Sequence, residues 1–177
     1  MKSYILHISH TDIRSDSRIL KEMSAVATIA DATVMGIGVE DQAGPPLTGS
    51  EQVFETRCLH PFVRRFKKLP RFIYLGMSFI ELTLKMSVQG IRLRPRVVHC
   101  HDTLVLPAGV IIKLFSGAKL IYDAHELESQ KNGQTPALSR ATLSIERICW
   151  PWIDGFISVS NSIVEWYMSR FSKKRSA

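Results

Sequence analysis

The chain has 177 residues, 45% hydrophobic and 22% charged, a balance that allows one sizeable domain with a buried core and excludes a disordered or low-complexity protein. Its net charge of +7 is local: ten of the 23 basic residues fall between Arg57 and Arg96, where the only acid is Glu81. That excludes a generally cationic protein and points to one basic surface meeting an anionic partner, such as membrane phospholipid, a lipid-linked phosphate or nucleic acid.

At the N-terminus, His7 breaks the apolar run too early for a signal-peptide core. The most apolar window, residues 72–84, carries Glu81 and is too short to span a bilayer. A cytoplasmic protein is expected. Cys58, Cys100 and Cys149 are odd in number and lack metal-type spacing, so reduced thiols are expected, with Cys100 buried in a strand.

Residues 4–9 read as a buried strand, followed by a polar turn and a helix beginning near Asp16, whose carboxylate can cap free N–H groups. Ile19, Leu20, Met23, Val26 and Ala27 repeat on one face of that helix. Residues 31–39 form a second strand, 41–50 a loop around Gly44-Pro45-Pro46, and 51–59 a third strand. After Arg64-Arg65-Phe66-Lys67-Lys68, the spacing of Phe72, Leu75, Phe79, Leu82 and Met86 predicts an amphipathic helix over 69–93, with Glu81 and Lys85 paired on another face. A strand at 96–101, a helix at 103–116 capped by Asp102 and closed by Gly117, and a strand at 118–123 follow. Residues 123–135 make a polar loop longer than the usual strand-to-helix link. Thr135-Pro136 opens a helix that Pro151 stops, residues 154–160 are a sixth strand, and Ser162-Ile163-Val164-Glu165 is a capping-box pattern opening the last helix.

Alternating strands and helices predict a Rossmann-like α/β fold: an open parallel sheet with helices on both faces. Ligands bind such sheets beyond the carboxyl ends of the strands, which directs attention to Val97-Val98-His99-Cys100-His101-Asp102 and Leu120-Ile121-Tyr122-Asp123-Ala124-His125-Glu126. The first strand-helix turn, residues 9–16, has no glycine, which argues against a dinucleotide cofactor of the NAD type.

His99 and His101 share one face of their strand, as metal ligands can. With Asp102, Asp123, His125 and Glu126 nearby, a metal-dependent hydrolase is one reading. The other is sugar and phosphate recognition: imidazoles donate to hydroxyl or phosphate oxygens, and carboxylates accept from sugar hydroxyls. Here His125 is the catalytic candidate, because it follows a strand and opens a polar loop. His101, Asp102, Asp123 and Glu126 are candidates for acceptor or phosphate binding. So are Asp12, Arg14, Asp16 and Arg18 of the first turn, which can equally form a solvated turn with a salt bridge. Arg64, Arg65, Lys67, Lys68 and Arg71, interleaved with Phe62, Phe66, Phe72, Tyr74 and Phe79, have the composition of a membrane-surface element. No nucleic-acid motif is present, and no nucleic-acid partner is expected.

Three segments together resemble the N-terminal domain of a family 4-type glycosyltransferase of the GT-B fold: Asp16-Ser17-Arg18-Ile19-Leu20-Lys21-Glu22; Val97 to Asp102 with Leu106-Pro107-Ala108-Gly109; and Leu120 to Glu126 with Leu127. Val159-Ser160-Asn161-Ser162 resembles the last strand-to-helix junction of that domain. The resemblance implies a two-domain enzyme, the first domain mainly holding the acceptor and the second a nucleotide-sugar donor, with transfer between them. It implies no other cofactor, a polysaccharide or lipid-linked acceptor, His125 near the donor sugar, and residues 12–18 near phosphate or acceptor. Many relatives carry a Gly-Gly pair in the first turn, and its absence here weighs against phosphate contact by that turn. Residues 1–172 are then the N-terminal domain and 173–177 the start of an interdomain linker. The donor domain is expected to be absent, because no two glutamates are separated by seven residues as that domain requires. The isolated chain is expected not to turn over, and a non-catalytic binding domain is the remaining alternative.

Overall fold

The computed structural model describes residues 4–29, 32–40, 54–66, 68–130 and 133–171. Six short strands, β1 (Tyr4–Ser9), β2 (Thr33–Val39), β3 (Glu55–Leu59), β4 (Val97–His101), β5 (Lys119–Ala124) and β6 (Gly155–Ser158), form one sheet in the order β3-β2-β1-β4-β5-β6. Every neighbouring pair is parallel. Five α-helices connect and follow them: α1 (Ser17–Ile29), α2 (Arg71–Leu93), α3 (Leu106–Ser116), α4 (Pro136–Cys149) and α5 (Asn161–Phe171). The chain order reverses between β1 and β4, the place where an open α/β sheet forms its ligand crevice.

Strand alternation divides the core in two. Leu6, Ile8, Met35, Ile37, Val98, Cys100, Leu120 and Tyr122 face one side, where Met86 of α2, Ile112 of α3 and Tyr167 of α5 cover them. On the other side Ile19 and Met23 of α1 bury themselves with Ile13 and Val34, flanked by Leu20, Val26 and Ala27, as the helical spacing predicts. Gly38 of β2 supplies the close approach that the glycine-free first turn lacks. A Cβ there would stand 2.5 Å from the Thr11 carbonyl oxygen and 2.8 Å from the Ile13 nitrogen, so the turn rests directly on β2.

Several expectations are corrected. Asp102 does not cap the helix after β4: its side chain makes no capping bond, and that helix begins as a 3-10 turn, Thr103–Val105, before α3. The backbone of Asp102, at φ 78° and ψ 160°, aims the carboxylate elsewhere. As expected, α4 ends just before Pro151, with Trp150 as its C-cap, and the proline lies in a short 3-10 turn, Trp150–Trp152. The last helix is capped by the Ser160 hydroxyl, which accepts from the Ile163 N–H at 3.4 Å, rather than by the box at 162–165. The α2 stripe is only half buried: Met86 is in the core, but Phe72 is 75% exposed and Leu75 also faces solvent. A 23-residue helix is about 34 Å long, whereas five-residue strands span roughly 17 Å, so the first turns of α2 overrun the sheet. Glu81 does pair with Lys85 at 2.5 Å, and it also accepts from the Phe62 and Val63 N–H groups, pinning the turn after β3 to α2.

The loop at 41–50, Lys67 and residues 173–177 lie outside the described residues, as do parts of the second and third strands as read from sequence. All three cysteines are free thiols. Among the described residues no helix is long and apolar enough to cross a membrane.

Candidate functional site

Parallel register stacks polar side chains in rows on the α1 side of the sheet centre. His7 of β1 is level with His99 of β4, and one step on, Ser9 is level with His101 and His101 with Asp123 of β5. The rings of His99 and His101 lie 4.3 Å apart, His7 and His99 4.7 Å, and His101 and His125 5.9 Å in near-parallel planes. Asp123 is the hub: its Oδ2 lies 3.5 Å from His101 Nδ1, 3.5 Å from His125 Nε2 and 3.8 Å from His99 Nε2. From above, the Glu22 carboxylate of α1 comes within 3.8 Å of His101 Nδ1. His7 Nδ1 and His101 Nε2 are 3.0 Å apart.

Burial sets the charge of this cluster. Removal from water holds His7 well below the usual imidazole range and brings His99 down to about 3, with the neighbouring His101 adding to the effect on both. His125 is lowered chiefly by burial, partly opposed by Asp123 and reinforced by Arg18. Burial also raises the Glu22 carboxyl. His7, His99 and His125 are therefore neutral imidazoles at neutral pH, able to offer a lone pair or an N–H.

His101, Asp123 and His125 are thus brought together, with Arg18 exposed beside them and close enough to act on both His125 and Glu22. Asp102 stands apart: its carboxylate pairs with His10 Nδ1 at 3.2 Å, while its N–H donates to the Asp123 carbonyl at 3.2 Å. Neither Asp102 nor Glu126, which is exposed, joins the groups of ligand-type side chains among the described residues, so the hydrolase set of His99, His101, Asp102 and His125 does not converge. In the first turn Asp12 accepts from the Arg14 N–H and holds its guanidinium by two bonds, at 3.0 and 2.7 Å. Asp16 caps α1 through the Arg18 and Ile19 N–H groups. These carboxylates serve local structure.

Arg64 and Arg65 lie on the 3-10 turn Phe62–Arg65, and exposed Lys68 and Arg71 lead into α2. The turn follows the carboxyl end of β3, so it shares the rim of the sheet with the histidines, three strand spacings or about 14 Å along from β4. His7 and Glu22 belong to the site yet are not among the site residues expected from the sequence, whereas His10 only pairs with Asp102 at its edge. The signals were a histidine interrupting the apolar first strand and the place of Glu22 at the end of the segment 16–22.

A Rossmann-type sheet with its polar cluster at the β1–β4 crevice is the architecture of one half of a GT-B glycosyltransferase. The family described as Glycosyltransferase Family 4 matches residues 42–176, most of the chain, and the chain belongs to that family. No curated protein matches it. Among solved structures it is similar to a sucrose-phosphate synthase from Thermosynechococcus elongatus, with 15% identity and a TM-score of 0.68 over 98% of this chain and 46% of that one. It is also similar to Arabidopsis thaliana UGT89C1 complexed with UDP, with 14% identity and a TM-score of 0.60 over 97% of this chain and 50% of that one. These likenesses establish the fold. The chain spans about half the length of either protein.

Proposed function

We propose that this chain forms the acceptor-side wall of a sugar-transfer site, with a nucleotide-sugar donor held by a second α/β unit across the cleft. The single observation that carries this is the convergence of His101, Asp123 and His125 at the carboxyl ends of β4 and β5, in a chain of Glycosyltransferase Family 4. His125, buried enough to stay neutral, presents an imidazole that can donate to or accept from a sugar hydroxyl. Asp123, 3.5 Å away, orients it. Exposed Arg18 supplies positive charge for a phosphate-bearing group. That relatives of this fold span twice the length, and that one is complexed with UDP, supports a donor wall outside this chain.

The acceptor is a polysaccharide or lipid-linked intermediate met at the cytoplasmic membrane surface. Support comes from α2, where Ile73, Met77, Ile80, Leu84 and Val88 fall on one uncovered stripe beside Arg64, Arg65, Lys68 and Arg71. No cofactor besides the donor is required. In the enzyme with both walls, His125→Ala lowers sugar transfer from UDP- or GDP-sugars by about 10²–10⁴-fold with the fold intact. Turnover at the unmodified rate in that variant removes His125 from the chemistry.

A further inference from the structure

Beneath the proposed transfer site, and sharing His101 with it, lies a second constellation. We propose that His7 of β1, Glu22 of α1, and His99 and His101 of β4 form a binding site for one divalent transition-metal ion of the zinc class. The four residues each offer a ligand atom, and those atoms lie within 4.8 Å of one another. Strand alternation and parallel register put the three imidazoles on one face of adjacent strands, and α1 lowers the carboxylate onto them.

The stronger observation is what these side chains leave unsatisfied. His7 Nε2, Glu22 Oε2, His99 Nε2 and His101 Nδ1 are all buried without a hydrogen-bond partner. His7 and His101 are fully buried, and His99 is 7% exposed. A buried polar atom left unpaired costs about 1–3 kcal/mol, and four on adjoining side chains, two of them with Asp123 at 3.5–3.8 Å, are what a shared ligand would satisfy. Donor atoms around a tetrahedral zinc ion, with bonds of about 2.1 Å, stand roughly 3.4 Å apart. His7 Nδ1 and His101 Nε2, 3.0 Å apart, stand near that value, while Glu22 lies 3.8 Å from the other His101 nitrogen, Nδ1, so seating the carboxylate on the ion requires its side chain to swing towards His7. His101 gives Nε2 to the ion beside His7 and keeps Nδ1 for the Asp123 carboxylate, 3.5 Å away. A carboxylate behind a ligating imidazole is the usual outer support of such sites.

Three imidazoles and one carboxylate suit zinc, cobalt or nickel and not magnesium or calcium, which take oxygen ligands. Four protein ligands with three buried make a closed site, which is structural rather than hydrolytic. The ion would clamp α1, and with it the first turn, to the centre of the sheet.

The test is metal binding by the chain itself, read without any transfer assay, so that it can fail while the proposed function stands, or the reverse. Metal-stripped protein titrated with cobalt(II) should develop the intense visible absorption of a four-coordinate ion at one equivalent. Zinc should bleach it, an excess of magnesium should not, and zinc should raise the melting temperature. Glu22→Gln, a change on a partly exposed helical residue that leaves the core untouched, should weaken cobalt binding by about 100-fold or more, as should His99→Gln, exceeding the 10–100-fold loss typical of outer-shell partners. His125→Gln should leave stoichiometry and spectrum unaltered. Absence of any cobalt spectrum, equal binding by the Glu22 variant, or loss of binding in the His125 variant would each overturn the assignment; the first result would mean that the imidazoles share protons or water alone.

Discussion

Asp102 occupies a backbone region, φ 78° and ψ 160°, that is essentially reserved for glycine, at a cost of about 1–3 kcal/mol. Against that cost it makes a partly exposed pair with His10, worth about 0–1 kcal/mol, and its charge acts on His125. Asp102→Gly relieves the strain while adding about 0.5–1 kcal/mol of unfolded-state entropy, and should melt at or slightly above the unmodified protein. Asp102→Ala loses the pair and keeps the strain, and should melt lower. Melting curves in the reverse order would contradict a strained Asp102. The sequence offered Asp102 as a helix cap because Asp before a helix usually is one; nothing local announces a left-handed backbone. His101, Asp123 and His125 were legible because strand ends and two-residue alternation fix their place. His7 and Glu22 were not, because their meeting with β4 depends on how β1 and α1 dock.

Two elements carry properties that no single residue does. Where the 3-10 turn before α3 meets α4, α5 and β5, the fully buried Glu146 Oε1 accepts from Tyr167 at 2.6 Å, Thr103 at 2.9 Å and Tyr122 at 3.1 Å, with no cation among the described residues of the knot. Burial raises this carboxyl, the three hydroxyls partly opposing it. Its contribution to stability is therefore complete below the ordinary glutamate range and lost as pH climbs through the raised value. Glu146→Gln keeps an oxygen for the hydroxyls and has no charge to bury. The variant should melt with the unmodified protein near pH 4 and above it at pH 8, by roughly 2–4 °C for each kcal/mol recovered; a gap independent of pH would refute this. On α2, Ile80→Asp with Leu84→Asp should abolish sedimentation with anionic vesicles while leaving thermal stability nearly unaltered, since both positions are exposed. Vesicle binding that survives the double change, or that ignores lipid charge, would remove the membrane surface. The apolar spacing of α2 was plain in the sequence, but which half met the core was not, because periodicity records a face and not how far the sheet beneath it extends.

At the scale of the molecule, the regular succession of strand and helix sufficed to read the parallel sheet, since each crossover demands a helix and each helix a covered face. The strand order, and hence the crevice between β1 and β4, follows from long-range pairing that no local pattern encodes. Calorimetric titration of the chain with UDP- or GDP-sugars should give no saturable heat up to about 1 mM, because the proposed donor wall lies elsewhere; tight binding would contradict the division of labour between two walls. The central position of β1 has a further consequence, for biosynthesis. Its lateral partners are β2, which follows at once, and β4, which lies far down the chain. At about 5–20 residues per second, the nascent strand waits on the order of 5–20 s for β4 to leave the ribosome. Throughout that interval Leu6 and Ile8 have only a half-built platform to shelter them, and the growing polypeptide is at its most vulnerable to aggregation.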